Sequence, residues 1–265
     1  MLSLPIITAF AAAVVSTSFI SGIFGMAGGM ILLGILLTML PLATAMVLHG
    51  VTQLASNGWR AWLWRAHIKW PIVGYYAAGA IVVAGLAFAA GQLAPSKATA
   101  FIALGLMPVI GLLLPTRFAP NISRPGHGFG FGAICTALQL VAGVAGPVFD
   151  VCFVRSELDR REMIATKAAV QALGHVVKIA YFGQLLAGGG AEISPAVVIL
   201  AIALAMVGTQ LSRCVLDIIN DVQFRNWTRG LIAVVAAIYL VQGLCLLFLD
   251  SHAASAAIAF VQRSQ

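Results

Sequence analysis

Charge is what this sequence has least of. Only 9% of its 265 residues are charged, 15 Lys+Arg and 8 Asp+Glu, against about 25% in an ordinary soluble domain. Hydrophobic residues make up 61% and the mean hydropathy is +1.02. No soluble fold of this size could hide that much apolar surface. A cytosolic enzyme, a secreted disulfide scaffold and a disordered chain are all excluded, which leaves a polytopic membrane protein. Cysteines are few and scattered at Cys135, Cys152, Cys214 and Cys245, with no C-x-x-C pair. That excludes a zinc ribbon or a thioredoxin-like motif and favours buried structural thiols. H-E-x-x-H, the P-loop and paired Cys/His metal spacings are missing. No metal, cofactor or enzymatic activity is therefore expected. Lys and Arg are also absent ahead of the first apolar run, so the N-terminus lacks the n-region of a cleaved signal peptide and reads as mature protein.

Apolar runs are abundant. A membrane helix needs about 20 mostly apolar residues. Clear candidates lie at 70–91, 97–114, 164–186, 195–213 and 229–249, with a more polar sixth at 43–58. Two other apolar regions, 5–40 and 128–154, are interrupted at Gly22–Gly29 and at Gly143–Pro147. The interruptions match: Gly25-Met-Ala-Gly28-Gly29 aligns with Gly143-Val-Ala-Gly146-Pro147, and Ala43-Thr44 with Ala165-Thr166. Residues 1–115 and 128–250 are thus expected to be tandem repeats, joined by the polar linker 116–127 and followed by a tail at 251–265.

The net charge of +7 would suggest nucleic acid in a soluble protein. In a membrane protein it reports cytoplasmic loops, so the expected partner is the lipid bilayer and not nucleic acid. Eleven of the 15 basic residues fall in 58–70, the linker, 155–161 and 213–229. Placing all four segments in the cytoplasm makes both broken regions hairpins, re-entrant or fully spanning, and gives the halves opposite orientation. The expected fold is all-α: two inverted repeats, each a Gly-broken hairpin followed by three transmembrane helices, in a bacterial inner membrane with both termini outside. Many secondary transporters follow such a plan, with broken helices meeting substrate near the midplane.

Irregular backbone is tolerated in lipid only where protein covers it or it lines a watery cavity. Half-helices starting near Gly28 and Gly146 would aim free N–H groups into that space, a ready anion site. Alternatively these glycines only permit close helix packing. The helix after each hairpin carries a polar stripe, with His49, Thr52, Gln53, Ser56 and Asn57 in the first half and Gln171, His175 and Lys178 in the second. Spacings of three and four put each set on one helical face. Candidate substrate ligands are Gly25, Ala27, Gly28, Gly29, His49, Gln53, Ser56, Asn57, Gln139, Gly143, Gly146, Pro147, Gln171, His175 and Lys178. A charge inside the membrane, as at Lys178, is a functional candidate by default; otherwise it snorkels or forms an ion pair, with Asp150 the obvious partner. Asp150 is also the candidate for coupling transport to protons, or it satisfies the start of its own half-helix.

The break S-G-I-F-G-M-A-G-G-M at 21–30, its echo G-V-A-G-P at 143–147, the A-T helix starts and the tandem form resemble the sulfite exporter TauE/SafE family over essentially the whole chain. The sequence departs from the family pattern at Met30 and Pro147, where glycine is frequent. The resemblance implies secondary transport of a sulfur-containing anion such as sulfite or a sulfonate, in the direction of export. An anion channel with the same cavity and a non-transporting assembly factor are the alternatives.

Overall fold

A computed structural model describes residues 4–24, 26–91, 94–113, 120–154, 156, 158–189, 192–216, 227 and 230–249. All regular structure among them is helical: α1 (Leu4–Phe24), α2 (Met26–Met39), α3 (Leu42–Leu63), a 3-10 turn (Arg65–His67), α4 (Trp70–Ala89), α5 (Lys97–Leu113), α6 (Pro125–Ala142), α7 (Gly146–Val154), α8 (Arg160–Gly188), α9 (Pro195–Leu216) and α10 (Gly230–Leu249). All six uninterrupted apolar regions are helices. Both interrupted regions are helix pairs, α1–α2 and α6–α7, broken at the glycines. α6 begins at Pro125, three residues ahead of the expected repeat boundary, because proline fits the first helical turn where its missing N–H costs nothing. Gly25, residues 116–119 of the linker and the tail 251–265 lie outside the described residues.

Among the described residues, four helices are long and apolar enough to cross a membrane: α1, α4, α9 and α10. α3 and α8, the carriers of the polar stripes, are not among them. They have 22 and 29 residues, about 33 Å and 44 Å at 1.5 Å per residue. Their polar groups are turned inward instead of toward lipid: His49, Thr52, Gln53, Ser56, Asn57, His175 and Lys178 are all buried. The outer surface is apolar, with Ile81, Leu86, Ile199, Val241 and Phe248 all more than 60% exposed. An apolar shell around a polar middle suits a hydrocarbon solvent.

α3 and α8 run antiparallel as a central pair, and the same close pairing recurs between α4 and α6 and between α1 and α9. Small residues set these distances. A Cβ on Gly132 of α6 would stand 2.0 Å from the Tyr76 carbonyl oxygen of α4, and one on Gly208 of α9 2.5 Å from that of Val15 in α1. Hydrophobic association between helices is weak in lipid, so such close backbone approach does the packing. α10 is tied in through Tyr239, whose hydroxyl donates to the Met30 carbonyl of α2 at 2.8 Å. Asp159 caps α8, accepting from the N–H groups of Arg161 and Glu162 while Glu162 accepts from the Asp159 N–H. At the same end Lys69 forms an ion pair with Glu162, and its N–H donates to the Thr166 hydroxyl at 2.9 Å.

Two outcomes follow. Gly132→Val overpacks the α4–α6 contact at about 1–3 kcal/mol, and should lower Tm in detergent by several degrees. Gly85→Ala, where an added Cβ meets nothing within 4 Å, should melt at or above the wild-type temperature. The second outcome concerns pH. The N–H of Glu162 first, then that of Arg161 and the charges of His67 and Lys69, hold the Asp159 carboxyl below its ordinary value against some desolvation. A depressed carboxyl adds stability above its unfolded pKa of about 3.9 and loses it as pH falls through the folded value. Asparagine caps without titrating, so Asp159→Asn should show a flatter melting profile than wild type below about pH 5.

Candidate functional site between the two helix breaks

The second break is built around Gly143. α6 ends at Ala142, and Gly143 takes the left-handed conformation, φ 76°, which a side chain resists. A Cβ there would also meet Leu33 Cδ2 at 2.5 Å and Met46 Sδ at 2.6 Å. The turn leaves the Gly143 carbonyl free of its helix, and Lys178 Nζ donates to it at 2.8 Å.

Lys178 is completely buried. Its second partner is His49 Nδ1 on α3, at 2.6 Å. The histidine is oriented from its other side, because Nε2 lies 2.9 Å from the Gly29 carbonyl at the first break. A carbonyl only accepts, so Nε2 carries the hydrogen and Nδ1 offers its lone pair to the lysine. One line of hydrogen bonds thus joins α2, α3, α8 and the α6–α7 break. Asp150, the expected ion-pair partner of Lys178, is paired with Lys167 instead. The reason is position: Lys167 lies in the first third of α8, about three turns before Lys178, and the Asp150 side chain that meets it is 41% exposed.

Beside this line sits a cavity of about 30 Å³, room for a water molecule or two. Of the candidates read from the sequence, Gly29, His49, Gln53, Gln139, Gly146, Gln171 and His175 line it together. They come from α2, α3, α6, α7 and α8. His175 stands edge-on to His49, ring centroids 5.7 Å apart, and its Nδ1 accepts from Gln139 Nε2 at 3.0 Å. Gln53 Nε2 is buried without a hydrogen-bond partner, a donor waiting for an acceptor.

The other candidates are placed apart from the cavity. Ser56 shares a 2.7 Å hydrogen bond with Thr209 of α9, and Asn57 is buried one residue further on. Gly28 packs on α1, where a Cβ would stand 2.1 Å from the Thr17 carbonyl oxygen. Ala27 is buried without reaching the lining, and Pro147 packs against Gly111 of α5. Lys178 lies behind His49 and is not itself part of the wall. Four further lining residues, Met30, Val144, Ala145 and Phe149, are apolar; the first three stand within or beside the matched breaks, the one signal that pointed to them, since nothing in their type separates them from ordinary membrane residues.

Groups of three or more His, Cys, Asp or Glu able to hold a metal are absent among the described residues. The chemistry on offer is mainly hydrogen-bond donation, from the amide groups of Gln53 and Gln171 and the Nε2–H of His175, beside one buried acceptor without a partner, Gln139 Oε1. Among the described residues no carboxylate lines the cavity.

The family model for the sulfite exporter TauE/SafE matches residues 9–240, from within α1 to within α10. No curated protein and no solved structure gives a significant match.

Gly143→Ala should distort the break that holds Lys178, costing about 1–3 kcal/mol for the forced left-handed backbone and lowering Tm accordingly. Gly130→Ala, on α6 with open space around it, should leave Tm unchanged.

Proposed function

Because the chain belongs to the sulfite exporter TauE/SafE family, we propose that it is a secondary transporter that moves a small sulfur-containing anion, sulfite, a sulfonate or a similar oxyanion, out across a bacterial inner membrane. Members of this family are transporters and not enzymes, in keeping with the apolar helices of this chain.

The observation that carries the substrate class is the character of the cavity between the breaks. An oxyanion accepts hydrogen bonds at every oxygen, so it needs donors and no competing carboxylates. Gln53, Gln171 and His175 supply donors, and Lys178 supplies positive charge one residue behind the wall. A cation site would need the reverse. The Asp150–Lys167 pair sits outside this arrangement.

The mechanism we favour is alternating access between inverted repeats, 1–115 and 128–250. The packing supports a pseudo-two-fold: α1 meets α9 as α6 meets α4, and α3 faces α8 across the centre. A cavity of about 30 Å³ is smaller than a sulfur oxyanion. Loading therefore requires the polar faces of α3 and α8 to part, a motion that rocking of one repeat against the other would supply. The basic loops would face the cytoplasm and the termini the outside.

Thermal melting of the purified protein with sulfite, sulfate, thiosulfate, taurine or sulfoacetate tests this. Ligand at 100 times Kd stabilises by about 2.7 kcal/mol, a shift of several degrees. Gln53→Leu should weaken binding at least tenfold, and Lys178→Ala should abolish the shift and the flux in liposomes. Single-channel currents would instead mark a channel. No shift with any anion, together with stable co-purification of a partner, would mark an assembly factor.

A further inference from the structure

We propose that Lys178 carries a proton that travels with the anion, and that His49 is the connection between this lysine and the transport cavity. The inference rests on the transport reading above.

Lys178 is wholly buried and held by two neutral acceptors, His49 Nδ1 and the Gly143 carbonyl. No carboxylate among the described residues pairs with it: Asp150 is taken by Lys167 and Glu162 by Lys69. A buried ammonium without a counter-anion is strongly unfavourable. Two states relieve that cost. With the cavity empty the side chain is the neutral amine; with an anion in the cavity it is the ammonium, its counter-charge just across the His49 ring. Occupancy by the anion and by the proton therefore rise and fall together.

The other titratable groups on the elements packed against α8 do not replace this pairing. His49 comes from α3, Tyr76 from α4, Cys135 from α6, Asp150 and Cys152 from α7, and His175 from one turn back on α8 itself. Tyrosine and cysteine are uncharged at neutral pH in their ordinary state, and Asp150 has its own cation. His49 alone both lines the cavity and bonds Lys178.

The step is a single proton transfer. On the loading side the Lys178 amine takes one proton from water, or from a hydrogen-oxyanion that becomes the deprotonated anion, as the substrate settles. On the far side the ammonium returns that proton to water as the anion leaves. Anion and proton move in the same direction. A dianion accompanied by one proton still carries one negative charge outward, so a membrane potential negative inside favours export.

The test is proton counting. Calorimetry of the best-binding sulfur anion in buffers of different ionisation enthalpy, above neutral pH, should give about one proton taken up per anion bound. Asp150→Asn should keep that count. Lys178→Arg supplies a cation that does not deprotonate: anion exchange between the two sides of a liposome should persist at reduced rate, while anion-dependent proton movement, followed with an internal pH dye, falls at least tenfold. Wild-type binding with no proton uptake overturns the proposal and leaves the transport reading standing. Loss of the proton count in Asp150→Asn overturns it by moving the coupling there. Should Lys178→Arg not fold, the wild-type and Asp150→Asn counts decide alone. If no sulfur anion binds the wild type at all, both readings fall together.

Discussion

The structure turns on one buried lysine. Lys178 lies where a charge is most costly, and the chain arranges three groups around it: the Gly143 carbonyl from the α6–α7 break, the His49 ring from α3, and, through that ring, the Gly29 carbonyl from α2. Each of these bonds needs a particular backbone feature. Gly143 must adopt a left-handed turn to release its carbonyl from helix bonding, and the hairpin must bring Gly29 within reach of α3. The glycines of the breaks therefore do two jobs in different places. Gly28 permits close packing of α2 on α1, whereas Gly143 and Gly29 orient polar backbone atoms toward the centre.

That division explains which parts of the site were legible in the sequence. The breaks were, because glycine clusters inside apolar runs have few other uses. The polar stripes were as well, because spacings of three and four place side chains on one helical face. His49, Gln53, Gln171 and His175 do converge on one cavity. The partner of Lys178 was not legible. Residue type made Asp150 the obvious choice, yet an ion pair depends on depth along the helices. Asp150 meets Lys167, eleven residues and about three turns before Lys178. Nor could periodicity separate Ser56 and Asn57 from the stripe, although α3 passes the cavity at His49 and Gln53 and reaches α9 by Ser56. The apolar lining residues carried no distinguishing chemistry at all.

α3 and α8 show how a membrane fold can hold helices that hydropathy alone passes over. Each carries too many polar groups to face lipid, and each hides them against the other. Of the four strongly apolar helices, α1 and α9 pack on α3 and α4 on α8, while α10 lies outside against α2 and α5, and they meet the solvent that α3 and α8 could not. Close contacts at Gly132 and Gly208 draw α4 onto α6 and α1 onto α9. The polar pair is thus enclosed without relying on a hydrophobic effect that lipid does not provide.

Enclosure of this kind has a consequence for the chemistry. A donor such as Gln53 Nε2, buried with no partner, and an ammonium buried with no carboxylate are both out of balance in the same sense: each wants negative charge or lone pairs. In a soluble protein water would supply them. Here the cavity admits a water molecule or two, so the largest relief available is an anion. A site left electrostatically incomplete in this way binds best what completes it, and it releases that ligand more readily once the lysine has given up its proton. Affinity and release are then governed by one side chain, which is what a carrier that must both capture and discharge its substrate requires.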